Sequence, residues 1–201
     1  MPRTSVPPHC SPRCALFRLA RELNPEPGHA FQVRKNAVRL FEALAPLHGL
    51  PAEALRLLEA GALLHDIGQA VEVKDHHKHS RDLILARRWP GLEERDRAIV
   101  ACVARYHRGK HPDPAHKVFR DLGKDDQRLV RVLAGLLRVA DGLDRGHAAS
   151  VKAIRAVITP DTVTLQVVQR SHAPLDLAGA LRKAGLLAEV CGRSIGVVSA
   201  V

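Results

Sequence analysis

Aromatic residues are scarce, with one Trp, one Tyr and four Phe in 201 positions. Proteins that grip single-stranded nucleic acid stack bases on such rings between their cations, so the sequence argues against a nucleic-acid partner. Cysteine is also thin. Cys10, Cys14, Cys102 and Cys191 form no C-x-x-C pair and lack the density of a disulfide scaffold, which points to a reducing cytoplasm. His9, Cys10 and Cys14 are too few to close a zinc site. No stretch approaches the ~20 apolar residues of a membrane span. The four Pro between Met1 and Arg13 leave no apolar run of signal-peptide kind, so a soluble chain without membrane contact is expected.

Positive charge, by contrast, is abundant. Lys and Arg number 31 against 21 Asp and Glu, giving a net charge of +10 and a pI near 10.1. Such an excess favours an anionic partner. With stacking platforms missing, a phosphorylated small molecule fits better than a polynucleotide; self-association is left open.

Taken in order, residues 1–12 read as a disordered lead and 13–150 as a helical domain. A short helix from about Arg13 to Leu23 stops at Asn24-Pro25-Glu26-Pro27-Gly28. A second opens at His29, with Val33, Ala37, Leu40, Phe41 and Leu44 as its apolar stripe. A third runs from Ala52 to His65. The spacing then predicts helices from His79, over Glu93 to His107, and over Asp126 to Asp141. From Val151 to Val201 the pattern changes. Val163, Leu165 and Val167 alternate with polar residues as in a strand, and Thr159-Pro160-Asp161 joins that strand to an earlier one as a hairpin. One helix marked by Leu177, Leu181, Ala184 and Ala188 and a closing strand complete a small α+β appendage.

The chemistry-bearing stretch is Gly61-Ala-Leu-Leu-His65-Asp66-Ile-Gly68. Leu58, Ala62 and His65 fall at i, i+4 and i+7, so the imidazole continues a buried stripe and carries a carboxylate beside it. One such pair is an ordinary core histidine and helix stop. His29, His79, His107 and Asp141, however, continue the stripes of four other helices. Four imidazoles and two carboxylates converging in an apolar core are costly to desolvate unless they coordinate a cation. The expected ligands are therefore His29, His65, Asp66, His79, His107 and Asp141.

This order resembles the HD superfamily of metal-dependent phosphohydrolases, whose pattern is a His, then His-Asp, then further His, then Asp on a helical bundle. Within it, His76-His-Lys-His-Ser80, Ala104-Arg-Tyr-His-Arg108 and Leu137-Arg-Val-Ala-Asp-Gly-Leu-Asp-Arg145 look like the helical region of the exopolyphosphatase and guanosine pentaphosphatase family. That family carries its cleaving residues in two preceding actin-like domains, for which these 201 residues have no room. The resemblance thus implies a module with its own chemistry. The expectation is hydrolysis of a nucleotide or other phosphate ester or anhydride by a metal-bound hydroxide, with His65 and Asp66 at the catalytic centre. The alternative is a non-catalytic module that binds polyphosphate or a guanosine alarmone. The mixed N/O ligand set suggests two divalent ions, Mn or Fe before Mg, Co, Ni or Zn. Gln69 stands where many cyclic-dinucleotide HD proteins have Lys. A phosphate clamp is therefore expected from Lys78, Arg105, Arg108 and Arg145, each near a ligand in sequence.

Overall fold

The computed structural model describes residues 11–200. The expected lead lies outside it except for Ser11 and Pro12, and the His9-Cys10 pair lies outside it altogether. Ser11 caps the first helix, its Oγ accepting from Cys14 N at 3.2 Å, and Pro12 takes the first helical position, where a missing N–H costs nothing.

The chain is mainly α, with a small α+β unit at its C-terminal end. Its helices are α1 (Pro12–Leu23), α2 (Pro27–Ala43), α3 (Ala45–His48), α4 (Ala54–Leu64), α5 (His76–Ala86), α6 (Glu94–Arg105), α7 (Lys117–Arg120) and α8 (Lys124–Gly142). Strands β1 (Val151–Ile158) and β2 (Thr162–Gln169) follow, then α9 (Pro174–Lys183), α10 (Gly185–Cys191) and β3 (Ser194–Ala200).

Helix α8 is the axis of the molecule. Residues 132–142 of it are all buried, because α2, α4 and α6 pack on one side and α9 and α10 on the other. Leu40, Leu58, Leu63, Leu133, Leu136 and Leu137 meet between these helices with less than 2% of their surface exposed. At roughly 1.5–3 kcal/mol per fully buried side chain, that contact outweighs any helix propensity in fixing the bundle.

Small residues set how closely the elements approach. A Cβ on Gly61 would lie 2.7 Å from Val103 Cγ1, so its absence lets α4 sit close on α6. Gly68 is more constrained: a Cβ there would lie 2.1 Å from His76 O and 2.4 Å from Ser80 N. The 3-10 turn Ile67–Ala70 is thus pressed onto the start of α5 and held by Gly68 N donating to Ser80 Oγ at 2.9 Å.

In the sheet, β2 is central, antiparallel to β1 and parallel to β3 through the α9–α10 crossover. Val163, Leu165 and Val167 are fully buried while Thr162, Thr164 and Gln166 are not, which is the alternation read from the sequence. Strand β1 lies against α2, and α9 and α10 lie against α8.

Boundaries differ from the sequence reading at three places. Helix α5 begins at His76 rather than His79, the helix expected to open at His29 starts at Pro27 and ends before Leu44, and the C-terminal helix breaks at Ala184 before Gly185. No helix among the described residues is long and apolar enough to cross a membrane.

Candidate metal centre

Four histidines meet where the helix ends converge, and each has one ring nitrogen tethered. His65 Nδ1 donates to Ala62 O at 2.8 Å, His107 Nδ1 to Ala104 O at 2.7 Å, and His76 Nδ1 to Val73 O at 2.9 Å. A carbonyl only accepts, so in each ring Nδ1 carries the hydrogen and Nε2 presents its lone pair inward. His29 repeats the device with a carboxylate, its Nδ1 donating to Asp144 Oδ2 at 2.8 Å.

The free faces point at two carboxylates. Asp66 Oδ1 lies 3.0 Å from His76 Nε2 and 3.6 Å from His107 Nε2, while its Oδ2 lies 3.5 Å from His65 Nε2. His29 Nε2 lies 3.4 Å from Asp141 Oδ1. His76 Nε2 and His107 Nε2 face each other at 3.3 Å. Lone pairs and carboxylate oxygens at these separations repel unless a proton or a cation stands among them. Despite its nearness to His76, Asp66 Oδ1 has no hydrogen bond of acceptable geometry among the described residues, and the buried His65 Nε2 has none there either. Three overlapping sets of donors, His29-His65-Asp66, His65-His107-Asp141 and Asp66-His76-His107, each fall within 4.8 Å. Partnerless buried donors of mixed N/O type suit a divalent ion such as Mn, Fe or Zn.

Titration follows from the same geometry. Burial works against a charged His29, yet its bonds to Asp141 and Asp144 raise its pKa to about 10. Burial likewise opposes ionisation of Asp66, but His65, His76 and His107 hold it well below the usual carboxylate range. His65 and His107 are pushed down, chiefly by desolvation. Without metal the cage therefore holds its charge as protons and carboxylates, the state a cation displaces.

Five of the six expected ligands, His29, His65, Asp66, His107 and Asp141, meet in this cluster. His79 does not: its half-exposed ring faces Glu72 at 3.5 Å, and His76 stands in its place. Asp75, in the left-handed conformation at φ 58°, starts α5 three residues early and aims the first helical side chain into the cluster, leaving His79 about 4.5 Å further along the axis. An Asp directly before the His-rich run was the available signal. Gln69, which cannot clamp phosphate by charge, instead donates to Asp66 Oδ2 at 2.5 Å and orients it.

A cleft of roughly 580 Å³ opens onto the cluster. Arg108 and Arg145 line it, as expected. Lys78 does not, being turned outward to Asp75 at 2.7 Å, and Arg105 belongs to a different cleft. The cations that sequence proximity missed are Arg138 on α8 and Arg182 and Lys183 on α9. Lys183 Nζ pairs with Asp141 Oδ2. That reach depends on two glycines: a Cβ on Gly142 would lie 2.6 Å from Gly179 C, and one on Gly179 2.5 Å from Gly142 O. His147, at φ 52°, stacks on His29 with ring centroids 4.2 Å apart and bonds Glu26.

The site is thus a set of tethered histidines around two inward carboxylates in a helical core, opening into a cation-lined cleft. Residues 14–187 match the family profile described as Ppx/GppA phosphatase, domain III, and the chain belongs to that family. It is also 35% identical over 94 residues to a guanosine-5'-triphosphate,3'-diphosphate pyrophosphatase of Pseudoalteromonas translucida (strain TAC 125). That match spans 47% of this chain and 17% of the relative.

Proposed function

We propose that this chain is a metal-dependent phosphohydrolase of HD type, acting on a phosphate anhydride or ester such as polyphosphate or a guanosine polyphosphate. The observation that carries the reading is the convergence of the His65, His76 and His107 Nε2 atoms on Asp66, where Asp66 Oδ1 and the buried His65 Nε2 find no hydrogen-bond partner among the described residues. His29, His65, Asp66, His76, His107 and Asp141 would hold one or two divalent ions, which supply Lewis-acid polarisation of a phosphoryl oxygen and acidify a water. The residues around them do the rest. Asp66, fixed by Gln69, and His29, fixed by Asp144, hold the centre's geometry. Arg108, Arg145, Arg182 and Lys183 face the cleft, where guanidinium forks bind phosphate oxygens two at a time and offset charge that grows in the transition state.

Elemental analysis of purified protein should find one to two transition-metal ions per chain. A phosphate-release screen with Mn, Fe, Co and Mg should find turnover that Asp66→Ala abolishes together with the metal. Folded protein that retains no metal, or an Asp66→Ala variant with wild-type turnover, would overturn the reading.

A second reading is favoured by the Lys183 contact, since a lysine seated on one of the cluster's carboxylates and a cleft lined by four arginines suit retention of a polyanion without cleavage. Tight binding of polyphosphate or a guanosine alarmone by metal-loaded protein, without release of phosphate, would select this module over the enzyme.

A further inference from the structure

Arg105 was expected beside the metal ligands and is instead on the far wall of α6, in a separate cleft of roughly 360 Å³. Arg81 of α5 and His116 and Lys117 at the start of α7 share that cleft, with Cys102 and Tyr106 in its floor. Arg105 makes no ion pair among the described residues, and its Nε is buried without a hydrogen-bond partner. Burial and the facing Arg81 both lower its pKa, so two guanidinium groups share one opening with little to separate their charges.

The local acids do not answer this. Asp82 is taken by Arg81 at 2.7 Å and is more than half exposed, and Asp121 pairs with Lys117 at 2.5 Å outside the cleft. Arg81, Arg105 and Lys117 against Asp82 leave the lining at a net charge of 3 − 1 = +2. The guanidinium of Arg105 makes no hydrogen bond among the described residues, so its outer N–H groups are free to take an acceptor arriving from the open side while the buried Nε anchors the plane of the fork. Two arginine forks with a lysine at the rim match the oxygens of a tetrahedral dianion, and a phosphate group carries about −1.5 to −2 at neutral pH.

We propose that the Arg81–Arg105–Lys117 cleft is a phosphate-binding site separate from the metal centre. Its ligand is a phosphate group, either inorganic phosphate or the end of a phosphomonoester. The site needs no metal and does not depend on the hydrolase reading.

The test uses the full chain stripped of metal, with inorganic phosphate as the probe. Calorimetry should show saturable binding, and the Arg105 Nε–H resonance should shift with its midpoint. Arg105→Met and Arg81→Met should each weaken binding at least tenfold, whereas Arg88→Met, on the exposed surface away from both clefts, should leave it unchanged; loss on Arg108→Met alone would place the phosphate in the metal cleft. Should Arg105→Met fail to fold, Arg81→Met and the rim variant Lys117→Met decide by the same criterion. Tighter binding of glycerol phosphate than of inorganic phosphate identifies a phosphomonoester end as the ligand, and equal or weaker binding identifies free phosphate. Absence of saturable binding, full affinity in Arg81→Met, or loss confined to Arg108→Met overturns the proposal.

Discussion

Gly142→Ala tests whether the C-terminal unit is seated on the helical core by direct backbone contact. The added Cβ would stand 2.6 Å from Ala180 N, Gly179 C and Gly179 O, all backbone atoms that no rotamer change can move aside. Ordinary carbon contacts lie near 3.5–4.0 Å, so α9 must retreat from α8 by about 1 Å. Overpacking against backbone atoms costs about 2–3 kcal/mol, the upper part of the usual range, and the better helix propensity of Ala returns about 1, leaving about 1–2 kcal/mol. At about 2–4 °C per kcal/mol for a chain of this size, Tm should fall by about 2–8 °C. Gly28→Ala in α2 is the control, since its Cβ meets nothing within 4 Å and should leave Tm unchanged or slightly raised. Lys183 follows Gly179 by one helical turn, so the same shift should loosen its pair with Asp141 and alter metal uptake as well as Tm. Differential scanning calorimetry of the three proteins decides. A Gly142→Ala protein that melts with wild type, or no lower than Gly28→Ala, would show that the Gly142–Gly179 contact is not tight.

Three further outcomes are expected. Arg108→Met and Arg145→Met should each raise KM for a polyphosphorylated substrate about tenfold, one charge-assisted hydrogen bond being worth ~1.5–3 kcal/mol, while Lys78→Met should leave it within twofold because Lys78 faces Asp75; equal effects of all three in steady-state kinetics would contradict the placement. Lys183→Met should increase the affinity of the metal-free protein for Mn about tenfold by vacating Asp141, and unchanged affinity by calorimetry would show that the pair does not compete with metal. His29 is raised from its ordinary 6.5 to about 10 without metal, so its protonated form adds stability that is fully present below pH 6.5 and is lost as pH climbs through 10. The urea midpoint of metal-free protein should accordingly fall between pH 6.5 and 10, and a flat or rising midpoint would count against the His29 cage.

Much of this was legible in the sequence because it rests on period. The stripe Leu58-Ala62-His65 and the alternation through Val163, Leu165 and Val167 are set by geometry that repeats along an element, so burial could be assigned without coordinates. His76 was missed because period fixes the phase of a helix and not its first residue: the opening turn His76-His77-Lys78-His79 is polar throughout and offers three imidazoles to choose from. Two of the expected clamp residues lie away from the cluster for a different reason. Nearness in sequence to a ligand says little about direction once a helix ends, so Lys78 and Arg105 turn away while Lys183, 42 residues beyond Asp141, turns in. Only the Gly142–Gly179 approach produces that contact, and no local pattern announces it.

The position of the histidines has a physical cause that joins fold to chemistry. A helix leaves its last carbonyls without intrahelical partners. His65 and His107 each stand just past the end of a helix, α4 and α6, and each returns its Nδ1–H to a carbonyl three residues back. The bond fixes the tautomer and turns Nε2 into the core. His76 uses Val73 O in the same way from the loop before α5, and His29, at the start of α2 where carbonyls are already engaged, takes Asp144 instead. The orientation of His65, His76 and His107 is therefore preset by backbone that the apolar core of the bundle holds rigid, whereas His29 takes its Nδ1 tether from a side chain, Asp144. That asymmetry singles out His29 as the ligand most easily released: Asp144→Asn keeps the shape, removes the charge that raises His29, and should weaken metal binding by about 10–100-fold, the usual effect of losing a ligand's hydrogen-bonded carboxylate. Since the Nδ1 hydrogens of His65, His76 and His107 go to backbone carbonyls, Asp144→Asn should leave those three rings in place, and a variant that loses metal entirely would mean that His29, rather than Asp66, is the residue on which the centre depends.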